Sequence, residues 1–231
     1  MVVAVVAAAG SGTRIGGKLP KQFLHLCGYP LIVYSLRTLQ LVPSVDAVLV
    51  TVPQGYEESL LHLCREQGFT KVRRIVCGGP ERQDSVANAL QTEEVAGADY
   101  ILVHDAVRPL APAELFERVL AAARRHGAAV PGVPAVDTIK ELDACRNVLR
   151  TLPRESLRYI QTPQAFRSDL LLRAYAEATQ KGLRATDDAA LVELLGHPVY
   201  VVDGAPENIK VTYPHDLIVA EALLQRAAEV G

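Results

Sequence analysis

VVAVVAAAGSGTRIGGKLPKQF, Val2 to Phe23, joins a valine-rich apolar run to a glycine-rich loop. The run Val2–Ala7 carries no charge and no polar alternation, as expected of a strand covered on both faces. Further β-like runs follow at Ala47–Val52, 72–76, 100–103 and 128–130. Helical patterns fill the gaps at 30–41, 56–66, 84–93 and 113–125. Strands alternating with helices at this spacing predict a Rossmann-like α/β sandwich of three layers, its sheet mostly parallel. Right-handed crossovers then gather the loops at the strands' carboxyl ends on one edge, where such sheets bind ligands.

After residue 130 the alternation stops. Residues 131–164 are rich in proline and charge and read as a protruding β-arm. Helices near 168–180 and 187–195, strands near 198–202 and 209–212, and a closing helix from Pro214 complete the reading. The whole suits a single domain, in keeping with a length of 231 residues.

The composition, 49% apolar and 22% charged with a net charge of −2, argues against duplex nucleic acid or an anionic membrane as partner. No acidic residue precedes Asp46, whereas Arg14, Lys18, Lys21 and Arg37 do, so the amino-terminal segment suits a small polyanion. Cys27, Cys64, Cys77 and Cys145 are scattered and form no C-x-x-C pair, which fits reduced thiols in the cytoplasm. The opening apolar run lacks a preceding basic region and is read as a strand rather than an export signal.

Two familiar phosphate loops fail on the glycine-rich segment. A dinucleotide loop needs a third glycine where Ile15 stands, and an acidic residue about twenty positions on. An NTPase loop fits Gly12, Gly17 and Lys18, but Leu19 replaces the hydroxyl that holds the metal. The pattern of sugar nucleotidyltransferases is met in full by Gly10, Gly12, Arg14, Pro20 and Lys21. Two cations on a glycine-rich loop can fold over a triphosphate and neutralise charge on a reacting phosphate. A plain turn with solvated basic residues has the same local sequence.

CGGPERQDSVANAL, Cys77 to Leu90, offers another tight turn, with Ser85 and Asp84 at the start of a helix where either also suits a cap. VHDAVRP, Val103 to Pro109, places Asp105 at a strand end, fit for a metal-linked or ribose-binding role or for a turn. His104 beside it reads as loop support. VDTIK, QTPQAF, TDDAAL and ENIKVT follow in order. With AAGSGTR and GGPERQDSV, these segments resemble the 2-C-methyl-D-erythritol 4-phosphate cytidylyltransferase family along nearly the full chain.

That resemblance implies CMP transfer from CTP to the polyol phosphate, with Mg²⁺ as cofactor and pyrophosphate as leaving group. It implies that Ala8, Ala9, Gly10, Gly79 and Ser85 surround the cytidine, with Asp105 in the ribose and Mg²⁺ region. Arg14, Lys21 and Lys210 become the catalytic cations. Arg108, Asp137, Thr138, Arg154 and Thr186 become the polyol-phosphate site. It implies a homodimer through an arm at about 136–159, with Arg154 acting in trans. Pro80, Ile15 and Gln161 depart from the usual family residues without removing a charge. Ribitol 5-phosphate is the rival acceptor, since the motif sets overlap. An ionised phosphate monoester needs no general base to attack, which agrees with the lack of a carboxylate or histidine dyad.

Overall fold

The computed structural model describes residues 1–10 and 19–230. Its elements, in chain order, are β1 (Val2–Ala7), β2 (His25–Leu26), β3 (Tyr29–Pro30), α1 (Leu31–Leu41), β4 (Ala47–Val52), α2 (Glu57–Glu66), β5 (Val72–Cys77), α3 (Arg82–Leu90), α4 (Glu93–Ala96) and β6 (Tyr100–Asp105). Then come α5 (Ala113–His126), β7 (Ala128–Pro134), β8 (Lys140–Leu142), β9 (Val148–Thr151), β10 (Arg158–Ile160), β11 (Gln164–Arg167), α6 (Ser168–Lys181), α7 (Asp188–Leu194), β12 (Tyr200–Asp203) and α8 (Pro214–Val230).

Strand β1 pairs in parallel with β4 and β6, and β4 in parallel with β5. Beyond β6 the sheet is mixed, because β11 runs antiparallel between β6 and β7. Strand β10 pairs with the far end of β7, and β12 joins β7 in parallel. The expected α/β sandwich is therefore present, with helices on both faces.

The apolar run of β1 works as a central strand should. Val2, Ala4 and Val6 enter one core with α1, α2 and α5, whereas Val3 and Val5 enter the other with α3, α6 and α7. Val3, Val5 and Val6 are wholly buried, and each such side chain contributes about 1.5–3 kcal/mol relative to exposure. A third cluster, Leu26, Leu31, Val107, Val211 and Ala220, seats α8 beside the segment that carries Lys210.

Helix boundaries have local causes. Glu81 and Asp84 form a reciprocal capping box, so α3 begins at Arg82, two residues before the expected start. Asp187 caps α7, its carboxylate accepting from the Ala190 N–H at 3.0 Å. Helix α6 ends on left-handed Gly182, and the Arg124–Arg125–His126 end of α5 complements its dipole. One expected strand is absent: residues 209–212 are irregular, tied to the strand-end loop by a 2.9 Å bond from Val211 N–H to Val107 O. Strand β11 was not foreseen, and residues 131–134 belong to β7 rather than the arm.

Candidate active site

The carboxyl ends of β1, β4, β5 and β6 are stitched together by backbone bonds. Ala8 N–H donates to Thr51 O at 3.0 Å, Gly78 N–H to Val52 O at 2.7 Å, and Ala106 N–H to Ala7 O at 3.1 Å. The turn after β5 demands glycine: a Cβ on Gly78 would stand 2.1 Å from that of Ala9, and one on Gly79 2.4 Å from that of Asp84. The Gly79 N–H donates to Ser85 Oγ at 3.0 Å, which draws the turn onto the first turns of α3.

Two clefts open at this edge. The first, about 200 Å³, is lined by Ala8, Ala9, Gly10, Lys21, Ser85 and Asp105, among others. The second, about 310 Å³, includes Arg108, Gln161, Thr162, Gln164, Thr186 and Asp187. Arg82, Asp105 and Lys210 line both and form their common wall.

That wall is a chain of alternating charge. Lys210 Nζ lies 2.6 Å from Asp105 Oδ2, and Arg82 Nε donates to Asp105 Oδ1 at 2.8 Å. The other arm of Arg82 donates through Nη2 to Asp188 Oδ2 at 2.8 Å. Burial opposes ionisation of Asp105, but the Arg82 and Lys210 charges outweigh it and hold the carboxyl well below the usual carboxylate range. Burial likewise opposes the charge on Arg82, and the Asp188 and Asp105 carboxylates overcome it. With Lys21 and Arg108 added, four cations among the described residues line the two clefts against the Asp105 and Asp187 carboxylates, an excess suited to phosphates.

The wall is backed by a polar network. Thr162 Oγ1 accepts from the Asp105 backbone N–H at 3.0 Å and stands 3.0 Å from His104 Nδ1. Burial pushes the His104 imidazole down to about 3, so it is a neutral support, as its place in the sequence suggested. Gln161 exchanges two hydrogen bonds with the backbone of Ala205, at 2.8 and 3.2 Å. Asn208 donates to Thr162 O at 2.9 Å, and its own carbonyl accepts from Arg108 Nη1 at 2.7 Å. The arm's return strand and the Lys210 segment are thereby locked to each other.

The structure brings together Ala8, Ala9, Gly10, Lys21, Ser85, Asp105 and Lys210 around one cleft, and Arg108 and Thr186 around the other. Gly79 stands behind Ser85. Lys21 Nζ reaches toward Val211 O at 3.5 Å, placing its ammonium beside the Lys210 segment. Arg14, with Gly12, Ile15, Gly17 and Lys18, lies outside the described residues. Asp137, Thr138 and Arg154 are exposed on the arm and line neither cleft; Arg154 Nη1 donates to Val136 O at 3.3 Å.

Arg82, Gln22 and Asp188 were missed. Arg82 stands inside a motif singled out for its glycines and serine, yet its partners lie 23 and 106 positions away. Gln22 is buried, and its amide donates to Ala8 O at the mouth of the first cleft.

Magnesium asks for hard oxygen ligands, usually one or two carboxylates with the remaining places taken by substrate phosphates and water. Among the described residues no group of three His, Cys, Asp or Glu converges. Asp105, a lone carboxylate at the junction of the two clefts, matches the single protein oxygen of that scheme.

The sequence model of the 2-C-methyl-D-erythritol 4-phosphate cytidylyltransferase family matches residues 2–226. An enzyme of that name from Pelotomaculum thermopropionicum is 46% identical, over 100% of this chain and 98% of its own. One from Acidobacterium capsulatum is 43% identical over 97% and 98%. The crystal structure of the Thermus thermophilus enzyme shares 38% identity at a TM-score of 0.78, covering 96% of this chain and 98% of that one. The 4-diphosphocytidyl-2C-methyl-D-erythritol synthase of Anaerococcus prevotii superposes at a TM-score of 0.86 with 29% identity, over 97% and 96%. Sequence and fold lead to one place: this chain belongs to the 2-C-methyl-D-erythritol 4-phosphate cytidylyltransferase family.

Proposed function

We propose that the two clefts hold CTP and 2-C-methyl-D-erythritol 4-phosphate on either side of the Arg82–Asp105–Lys210 wall, and that the acceptor's phosphate attacks the α-phosphorus in line. Family membership supplies the reaction: CTP-dependent cytidylyl transfer to the methylerythritol phosphate, with release of pyrophosphate. The observation that carries the assignment of parts is the Lys210–Asp105 ion pair at the junction of the clefts. An ammonium held there can exchange its carboxylate for an oxygen of the reacting phosphate.

The nucleoside end is lined by Ala8, Ala9, Gly10 and Ser85, small residues and backbone groups that leave room for a pyrimidine and limit a purine by size. Lys21 and Arg14 hold the triphosphate, and Lys210 offsets the charge that builds at the α-phosphorus. Asp105 would hold Mg²⁺, which would supply charge neutralisation for the triphosphate and its leaving pyrophosphate. The acceptor's phosphate is largely ionised at neutral pH, with a second pKa of about 6, so no side chain has to remove a proton. Arg108 and Thr186 bind the acceptor from this chain. Asp137, Thr138 and Arg154 bind it from the arm of a second copy, which makes a homodimer the working unit. Their exposure on one chain, away from both clefts, supports that arrangement.

Pyrophosphate release tests the reading. CTP, ATP, GTP and UTP are each offered with methylerythritol 4-phosphate or ribitol 5-phosphate, with and without Mg²⁺. Release confined to CTP with methylerythritol 4-phosphate, and dependent on Mg²⁺, is expected. Release with ribitol 5-phosphate alone, or with a purine nucleotide, would overturn the assignment of the clefts.

A further inference from the structure

Asp188 lies behind the wall the clefts share. It is wholly buried, although Thr186 and Asp187 just before it line the second cleft. A carboxylate withdrawn from water is costly unless charged or strong donors meet it, and an apolar side chain of similar volume commonly serves stability as well. Asp188 has two such donors from different elements. The Tyr175 hydroxyl of α6 meets Oδ1, and Arg82 Nη2 at the start of α3 meets Oδ2 at 2.8 Å.

Those contacts aim a buried charge at one guanidinium. Arg82 is partly open to the clefts, with 28% of its side chain exposed, and so stands close to any arriving phosphate. If it were held only by Asp105, a triphosphate carrying several negative charges would compete for it. Asp105 would then lose Lys210 and Arg82 to the substrates together. A second, buried carboxylate on another nitrogen of the guanidinium opposes that.

We propose that Asp188, steadied by Tyr175, is a positioning residue for the transfer: it pins Arg82 against Asp105, so that Asp105 keeps one cationic partner and its orientation when Lys210 leaves it for a phosphate. The inference rests on the cytidylyl-transfer reading of the clefts. Arg82 is thereby a fixed part of the wall, and Lys210 is the cation that moves.

The test compares Asp188→Asn, Tyr175→Phe, Arg82→Gln and the Asp188→Asn/Arg82→Gln double variant. Two quantities are read for each: kcat, and the Kd of CTP measured by calorimetry without acceptor. Asp188→Asn frees Arg82 for the triphosphate, so kcat is expected to fall at least about tenfold while the CTP Kd stays the same or tightens, a split that marks an effect on the transfer step. Because Asp188 acts through Arg82, the double variant is expected within about twofold of Arg82→Gln alone. A kcat near wild type in Asp188→Asn, losses that multiply in the double variant, or CTP binding that weakens in step with kcat would each overturn the proposal. Should Asp188→Asn fail to fold, Tyr175→Phe, alone and combined with Arg82→Gln, is read by the same criteria. A wild-type protein that releases no pyrophosphate overturns the reaction itself; an active wild type beside an unimpaired Asp188→Asn overturns this inference alone.

Discussion

The first cleft and the arm are built in opposite ways. Around Ala8 and Asp105 each wall is the end of a buried strand paired on both sides, and the Gly78–Gly79 turn, at the end of edge strand β5, is tied to Val52 O through the Gly78 N–H. In the arm, β8 and β9 pair only with each other and every residue of both is exposed. Val136, Leu142, Val148, Leu149 and Tyr159 stand in solvent there. A short two-stranded ribbon is marginal alone, and that much exposed apolar surface marks a place of contact. One half of the candidate site therefore rests on a single chain's core, and the arm residues Asp137, Thr138 and Arg154 join it only under the proposed pairing of two chains.

Substitutions on the two sides should fail in different ways. Lys210→Ala strikes the wall, and its expected loss is the largest: about 10²–10³ in kcat with the fold retained, the scale of one lost transition-state contact. Turnover within a few-fold of wild type would remove Lys210 from the reaction. Arg154→Ala strikes the arm, and should lower kcat/KM for the acceptor by about 10- to 100-fold, the worth of a hydrogen bond to a charged group, while CTP binding holds. Mixing Arg154→Ala chains with Lys210→Ala chains should recover activity that neither has alone, because some pairs then carry one intact site. No recovery after subunit exchange would place Arg154 in its own chain's cleft. Gly78→Ala has the smallest expected effect, about 1–3 kcal/mol of stability, as its Cβ forces Ala9 aside. A rise in the KM of CTP should accompany it. Unchanged melting and an unchanged KM would show that this turn yields more easily than its spacing implies.

The central strands were legible because burial on both faces leaves an unbroken apolar signature, as in Val2–Ala7 and Ala47–Val52. Strand β11 left none: it is four residues long, opens with Gln164 directly after Pro163, and exists because β6 and β7 pair with it from either side. Residues 209–212 had the alternation of a strand but, among the described residues, one rung to hold it. The same division runs through the site. Gly10, Lys21 and Asp105 could be singled out because they lie in or beside turns that follow strands, whereas Ala8 and Ser85 were named through the family resemblance. Arg82 and Asp188 could not, because an arginine opening one helix and an aspartate opening another reveal their bond only when the fold brings the starts of α3 and α7 together.

The arm leaves and rejoins the sheet along the same strand, with Pro134 on the outgoing side paired to Arg158 on the return. Its base is therefore a closed doorway of fixed width, and whatever hangs beyond it is a detachable part. Lengthening the hairpin costs little, about 0.6 kcal/mol for each doubling of loop length. A graft from a relative can thus change how far the chain reaches and what it grips, while the frame around Asp105 stays as it is.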